Sequence, residues 1–189
     1  MIITTWNCNL KLKSKYEYIE SLDSDILIIQ ECEKLKQDYF PSTQYFWTGR
    51  DVNKGLGVLV KKDTANVSKL HNPNFIHFLP IEADNLNIMG VWAFNHRAVK
   101  YGDNANGRTL DAINYYDIWL NDSQKSIFAG DFNNSIIWDK KSNPSFSNIN
   151  NQLNRLGYES SYHKQNQDQF GKEEETTFYH TKKEDKKYH

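Results

Sequence analysis

The sequence predicts an α/β fold. Apolar runs of strand length at residues 2–6, 26–29 and 127–129 each stop at polar or glycine residues, and segments with helical spacing lie between them. The first strand, a helix and the second strand follow closely, an order that favours a parallel pair joined by a right-handed crossover. The run Ile26-Leu27-Ile28-Ile29 is apolar throughout, so both of its faces must be covered.

In chain order, β-branched and aromatic residues 2–6 form a strand that ends at Asn7-Cys8-Asn9. Ser14-Lys15-Tyr16-Glu17 has the spacing of a capping box, and Tyr16, Ile19 and Leu22 follow at helical intervals, which predicts a helix over 14–22. Residues 26–29 form the second strand, ending in Gln30-Glu31; two parallel strands end at one edge, so Asn7 should lie beside Glu31. A short helix over 33–39 precedes Pro41. Strands at 44–47 and 56–61 are joined by a hairpin-like loop, 49–55, with glycines at both ends. Further strands fall at 75–79 and 86–94, the latter leading to Asn95-His96-Arg97 and a polar loop up to Gly107. Leu110, Ile113, Asp117 and Ile118 fit an amphipathic helix. After the strand at 127–129 come an apolar cluster, Ile136-Ile137-Trp138, and a helix through Ile149, Leu153 and Leu156 that ends at Gly157. Residues 158–162 read as a strand, 165–175 as a polar mobile loop, 176–180 as a strand, 181–187 as a charged turn, and Tyr188-His189 as the start of another strand.

The run Ile127-Phe128-Ala129 stops at Gly130 and then presents Asp131 and, two residues on, Asn133. Residues two apart in an extended segment project to the same side, so both can address one small target. A carboxylate beside a carboxamide suits a phosphate ester. The carboxylate takes a proton or holds a metal, and the amide donates hydrogen bonds to developing negative charge. The competing reading is an ordinary Asp-Phe-Asn turn after a buried strand, because both residue types favour turns. Glu31 is the less expected residue, since a charge at the rim of a core is unfavourable unless paired or metal-bound; otherwise it is a solvent-facing carboxylate opening the next helix. Lys54 could reach a phosphate from its loop, although exposed lysines are mostly just solvated. Cys8 and Cys32 each follow one of these polar residues and read as small packing residues, because no Cys-x-x-Cys or His spacing makes a redox or zinc site.

With 189 residues, 38% of them hydrophobic, residues 1–189 suffice for a single domain with a layered core. A net charge of −1 disfavours a protein that grips nucleic acid mainly through backbone charge, and leaves room for a metal-bridged phosphate contact. No run approaches the roughly 18 apolar residues of a membrane span, and the start has no basic segment followed by an apolar stretch. Two cysteines fit a reducing, cytoplasmic compartment. The absence of a Gly-x-Ser-x-Gly elbow disfavours a serine hydrolase.

Taken together and in this order, Thr5-Trp6-Asn7, Ile28-Ile29-Gln30-Glu31, Gly55-Leu56-Gly57-Val58 and Gly130-Asp131-Phe132-Asn133 resemble the motifs of the endonuclease/exonuclease/phosphatase superfamily, the deoxyribonuclease I-like fold. The resemblance implies a four-layer α/β sandwich: two mostly antiparallel sheets face to face, flanked by helices. It also implies a divalent-metal-dependent phosphoesterase, most simply a nuclease-like phosphodiester hydrolase using metal-assisted in-line attack of water. Glu31 would be the main ligand of Mg²⁺, with Mn²⁺ as a substitute, and Asn7 would support the metal-bound phosphate or its water. Asp131 would orient or deprotonate the water, and Asn133 would hydrogen-bond the phosphate. A family His or Tyr after the strand at 86–94 falls on Asn95 or His96, with His96 preferred, and Arg97 nearby could pair with phosphate. The family continues with a further carboxylate and a Ser-Asp-His motif that this sequence lacks, which reads as a C-terminally incomplete domain with its last strands missing. Such a sheet invites self-association or completion by a partner chain. The alternative to a phosphate-ester or nucleic-acid hydrolase is then a catalytically inactive relative or fragment with a binding or structural role.

Overall fold

The computed structural model describes residues 1–61, 65–93, 109–121, 125–142 and 144–175, together with the backbone of 178–179 and 187–188. The apolar run at 26–29 behaves as a doubly covered strand should: Ile26 and Ile28 enter one apolar cluster, Leu27 and Ile29 another on the opposite face. These residues open β2 (Ile26–Cys32), which pairs in parallel with β1 (Ile3–Asn7), as the strand–helix–strand order predicts. On its other side β2 pairs antiparallel with β4 (Lys54–Val60), and β4 with β3 (Gln44–Asp51), giving the order β1-β2-β4-β3.

The second sheet has the order β5-β6-β7-β8, made of β5 (Asn66–Val67), β6 (Phe78–Ala83), β7 (Leu86–Trp92) and β8 (Lys125–Asp131). Its first two pairings are antiparallel and β7–β8 is parallel, so each sheet contains one parallel pair. The sheets face each other across a cluster that includes Ile28, Val58, Leu79, Ile81 and Ile88. They approach closely at Gly90, where an added Cβ would meet Val58 Cγ2 at 3.1 Å and Ile28 Cγ2 at 3.6 Å.

Helices close the outer faces. α1 (Tyr16–Ser21) packs Ile19 against the first sheet. α2 (Thr109–Tyr115), α3 (Asp117–Leu120) and α4 (Ser145–Arg155) pack Ile113, Trp119 and Ile149 against the second. This is the predicted four-layer α/β sandwich. A two-stranded ribbon, β9 (Phe178–Tyr179) with β10 (Lys187–Tyr188), completes the described elements with α5 (Ser161–Asn166).

Several local expectations are corrected. The capping box does not form: residues Leu12–Lys15 make a 3₁₀ turn in which the Ser14 hydroxyl donates to the Lys11 carbonyl, and α1 begins only after Lys15. The expected helix at 33–39 shrinks to a single turn, Gln37–Tyr39. β3 and β4 extend through the supposed 49–55 loop to a two-residue turn, with Asp51 opposite Lys54. The amphipathic helix is broken at Tyr116, which leaves Ile118 86% exposed. Residues 158–162 contain no strand and instead lead into α5. β8 is half-buried rather than buried, because among the described residues it pairs only with β7. The loop at 165–175 is packed: Phe170 meets Phe146 edge-on with ring centres 5.0 Å apart, and a Cβ on Gly171 would strike Ile136 Cγ2 at 2.7 Å.

Candidate active site

Parallel pairing sends β1 and β2 to a common edge, with Asn7 opposite Gln30, and sends β7 and β8 to another, with Trp92 opposite Asp131. β8 touches both β1 and β2, so the two edges converge. Asn7 Nδ2 lies 3.4 Å from Glu31 Oε1 and 3.4 Å from Asp131 Oδ2. These are long contacts, but they place one amide between two carboxylates from different sheets.

Glu31 reaches this position through a bulge. The register of β2 against β4 shifts between Gln30 and Cys32, and Glu31 adopts a left-handed φ of 59°. An extra residue in one strand re-aims its side chain away from the ladder, and non-glycine residues hold this conformation only when neighbours enforce it. The Glu31 carbonyl is fixed by Leu10 N–H at 3.0 Å, and the adjacent Gln30 carbonyl by Cys8 N–H at 3.0 Å. The loop that supplies these donors runs through three consecutive left-handed residues, Asn9, Leu10 and Lys11. It is held by Glu33, which accepts from the N–H groups of Leu12 at 2.6 Å and Lys13 at 2.9 Å, and by the Lys15 ammonium on the Cys8 and Leu10 carbonyls.

Asp131 ends β8, and Asn133 lies beyond the strand with φ 45°. The predicted turn and the predicted site are therefore the same object. Asn133 N–H donates to Asp131 Oδ1 at 2.9 Å, and the Asn133 amide donates to Asp131 Oδ2 at 3.0 Å and to the Ala93 carbonyl at 2.9 Å. Burial raises the Asp131 pKa above its ordinary value. The Asn133 N–H and the Asn7 and Asn133 amides pull the other way, the Glu31 charge adds to the rise, and the balance remains upward.

Sequence reasoning weighed Lys54 and set it aside as a solvated loop lysine, and it assigned Trp92 no role. Lys54 Nζ makes an ion pair with Glu31 Oε2 at 2.9 Å and lies 5.4 Å from the centre of the Trp92 ring. Trp92 is 3% exposed, and His77 lies edge-on to it with ring centres 5.5 Å apart. Burial, reinforced by Arg50, pushes the His77 pKa down to about 4, so this imidazole is neutral at physiological pH. The available signal for Lys54 was its place beside Gly55, which the register sets opposite Cys32.

Asn95, His96 and Arg97 lie outside the described residues. His163 lies within them, but its ring bridges Ser160 Oγ at 2.7 Å and Glu173 Oε1 at 2.9 Å and stacks on Phe170 at 3.8 Å. His163→Ala strips the largely buried Glu173 carboxylate of its imidazole partner and is expected to lower stability by about 1–3 kcal/mol, read as a lower urea midpoint at constant m. The two cysteines are packing residues: burial raises Cys8 to about 11 and Cys32 to about 12, away from any thiolate at neutral pH.

The donor set can be tested against a metal. Among the described residues no three His, Cys, Asp or Glu side chains gather to hold an ion. Glu31 and Asp131 offer hard carboxylate oxygens. The Asn7 carboxamide presents its nitrogen to them, because its Oδ1 accepts from Asn9 N–H at 3.1 Å. One or two carboxylates suit Mg²⁺, which keeps most of its waters, better than Zn²⁺ or a Ca²⁺ cage.

A sequence model described as the Endonuclease/Exonuclease/phosphatase family matches residues 4–172. The chain belongs to that family, which together with the similar structures supports a nuclease-like phosphoesterase. Among solved structures it is similar to the 3′-5′ exonuclease NExo of Neisseria meningitidis, at 20% identity over 80% of this chain and 71% of that one, with TM-score 0.59. An AP endonuclease from Archaeoglobus fulgidus matches at 14% identity over 82% and 71%, TM-score 0.58. A structure of 3′ phosphatase NExo from Neisseria bound to product DNA hairpin matches at 19% identity over 79% and 70%, TM-score 0.58. No curated protein sequence matches. Among the described residues no helix is long and apolar enough to cross a membrane.

Proposed function

We propose that this protein is a Mg²⁺-dependent phosphodiesterase acting on nucleic acid or a related phosphate ester. The observation that carries the reading is the half-buried Asp131 carboxylate, held by Asn133 and Asn7 and facing Glu31 across the junction of the sheets. Glu31 holds the cation, with Asn7 beside it. When bound, Mg²⁺ supplies Lewis-acid and charge-clamping chemistry at the phosphoryl oxygens, and Mn²⁺ substitutes for it. Asp131 accepts the proton of the attacking water; its raised pKa makes it a better base than a solvated carboxylate. Asn133 fixes the orientation of Asp131, and Asn7 offers an N–H to the phosphate or the water. The names of the similar structures, an exonuclease, an AP endonuclease and a DNA-bound 3′ phosphatase, support a nucleic-acid substrate.

The experiment is hydrolysis of single- and double-stranded oligonucleotides, and of bis-p-nitrophenyl phosphate, with Mg²⁺, Mn²⁺ or EDTA. Wild-type turnover should vanish in EDTA, and Glu31→Ala should lower it by about 10²-fold or more. Turnover that survives Glu31→Ala refutes the site. A second reading, a family member that binds without turnover, takes its support from the two carboxylates, Glu31 and Asp131, that face one amide here among the described residues. Retained binding of an oligonucleotide with no hydrolysis would select it. The edge of β8, paired with β7 alone among the described residues, is where a partner strand or a second copy would complete the sheet.

A further inference from the structure

Lys54 opens β4 one residue after the turn, and its ammonium lies 2.9 Å from Glu31 Oε2. Both ends of this pair are restrained. The Lys54 side chain is 40% exposed and that of Glu31 22%, the Glu31 backbone is set by its bulge, and Trp92 beneath the ammonium is a buried ring. The ammonium thus sits on the carboxylate that would hold a cation. An ammonium and a divalent ion on one carboxylate repel each other, so occupancy by either disfavours the other.

We propose that Lys54 is the resident counter-ion of Glu31, is displaced from it by the divalent cation, and then binds the substrate phosphate while still lodged over Trp92. The inference rests on the metal-dependent reading above. Three features support it. Glu31 and Asp131 face one Asn7 amide, and an ammonium on Glu31 offsets the repulsion of two converging carboxylates before metal arrives. The aromatic platform keeps the displaced ammonium at the site, because a cation over an indole is held without a fixed hydrogen-bond partner. The register sets Trp92 opposite Asp131, so Lys54 on that ring stands next to the proposed base, where the phosphoryl group must lie. A compact ammonium with three rotatable donors suits the exchange of a carboxylate for a phosphate oxygen.

The test uses the full chain as wild type, Lys54→Met, Lys54→Gln, Lys54→Arg and Glu31→Gln, each shown to melt cooperatively by circular dichroism. Mn²⁺ binding is read from the free-ion electron paramagnetic resonance signal at low and high salt, and binding of inorganic phosphate to the Mg²⁺-saturated protein from calorimetry. The neutral variants should bind Mn²⁺ roughly three- to tenfold more tightly at low salt, with the gain shrinking at high salt, and Lys54→Arg should stay near wild type. Phosphate affinity of the same neutral variants should fall about tenfold. Equal or weaker Mn²⁺ binding in both neutral variants overturns the displacement, and unchanged phosphate affinity overturns the second role. If Glu31→Gln loses Mn²⁺ while the Lys54 variants match wild type, only this inference fails. If Glu31→Gln binds Mn²⁺ as wild type does, the metal reading fails and takes this inference with it.

Discussion

Asp131→Asn is expected to lower turnover by about 10²–10⁴-fold, the usual contribution of a positioned base, with little change in fold. The wild-type pH–rate profile should show an acid limb where Asp131 takes up its proton, at a pH above the ordinary carboxylate value of 3.8, because burial raises this group. Stability moves the other way. A carboxyl whose pKa is higher in the folded state than in the unfolded chain stabilises the fold at low pH, and that contribution is lost as pH rises through the folded value. As pH falls from neutrality toward the ordinary carboxylate range, the metal-free protein should therefore gain stability from this group, while the Mg²⁺-loaded protein loses activity. The Asp131→Asn variant should show a flatter dependence of melting temperature on pH than wild type. An unchanged pH–rate profile in the variant would remove Asp131 from the mechanism.

Gly130→Ala is expected to have the largest effect on stability. Gly130 has φ +142°, and a Cβ there would lie 2.0 Å from the Val91 carbonyl oxygen and 2.8 Å from Val91 C and N. These are backbone atoms of the paired strand, in register with Gly130 itself, so no side-chain rotation relieves the contact. The β7–β8 ladder must open at the residue before Asp131. A loss of at least about 3 kcal/mol follows, which for a chain of this size is roughly 6–12 °C in melting temperature. Thermal denaturation followed by circular dichroism measures it, and a shift under about 2 °C would show that the strand ends tolerate far more rearrangement than the register implies.

What was legible in the sequence was what local chemistry decides. The uninterrupted apolar run at 26–29 fixed a doubly covered strand, and the strand–helix–strand order gave the parallel β1–β2 pair that carries Asn7 and Glu31 to one edge. Asp131 was legible only in company: alone, Asp-Phe-Asn after a strand reads as an ordinary turn, and Asn7 and Glu31 at the ends of two other strands gave it a chemical reading. Lys54 was not, because its reach to Glu31 depends on where the β3–β4 turn falls, and turn residues alone do not set that register. The role of Asn133 was only half legible: spacing put it beside Asp131, but a left-handed turn, not an extended strand, holds it there with its amide committed to Asp131 and Ala93. The polarity of 165–175 suggested a solvated loop, because its anchors, Glu173 on His163 and Phe170 on Phe146, are tertiary and leave no local pattern.

Asn7 and Glu31 belong to one sheet, Asp131 ends a strand of the other, and at Gly90 the second sheet presents no side chain of its own to Val58 and Ile28 of the first. The apolar interior therefore works as a spacer gauge: its thickness fixes the gap across which the two halves of the chemistry must meet. A methyl group gained or lost at Val58 or Ile28 changes that gap even though neither residue approaches a phosphate. Substitutions at such positions should be tolerated best as compensating pairs, one on each sheet, that keep the interior volume. On the proposed function, the alignment of the reacting groups depends on interior volume as much as on the polar residues at the edge.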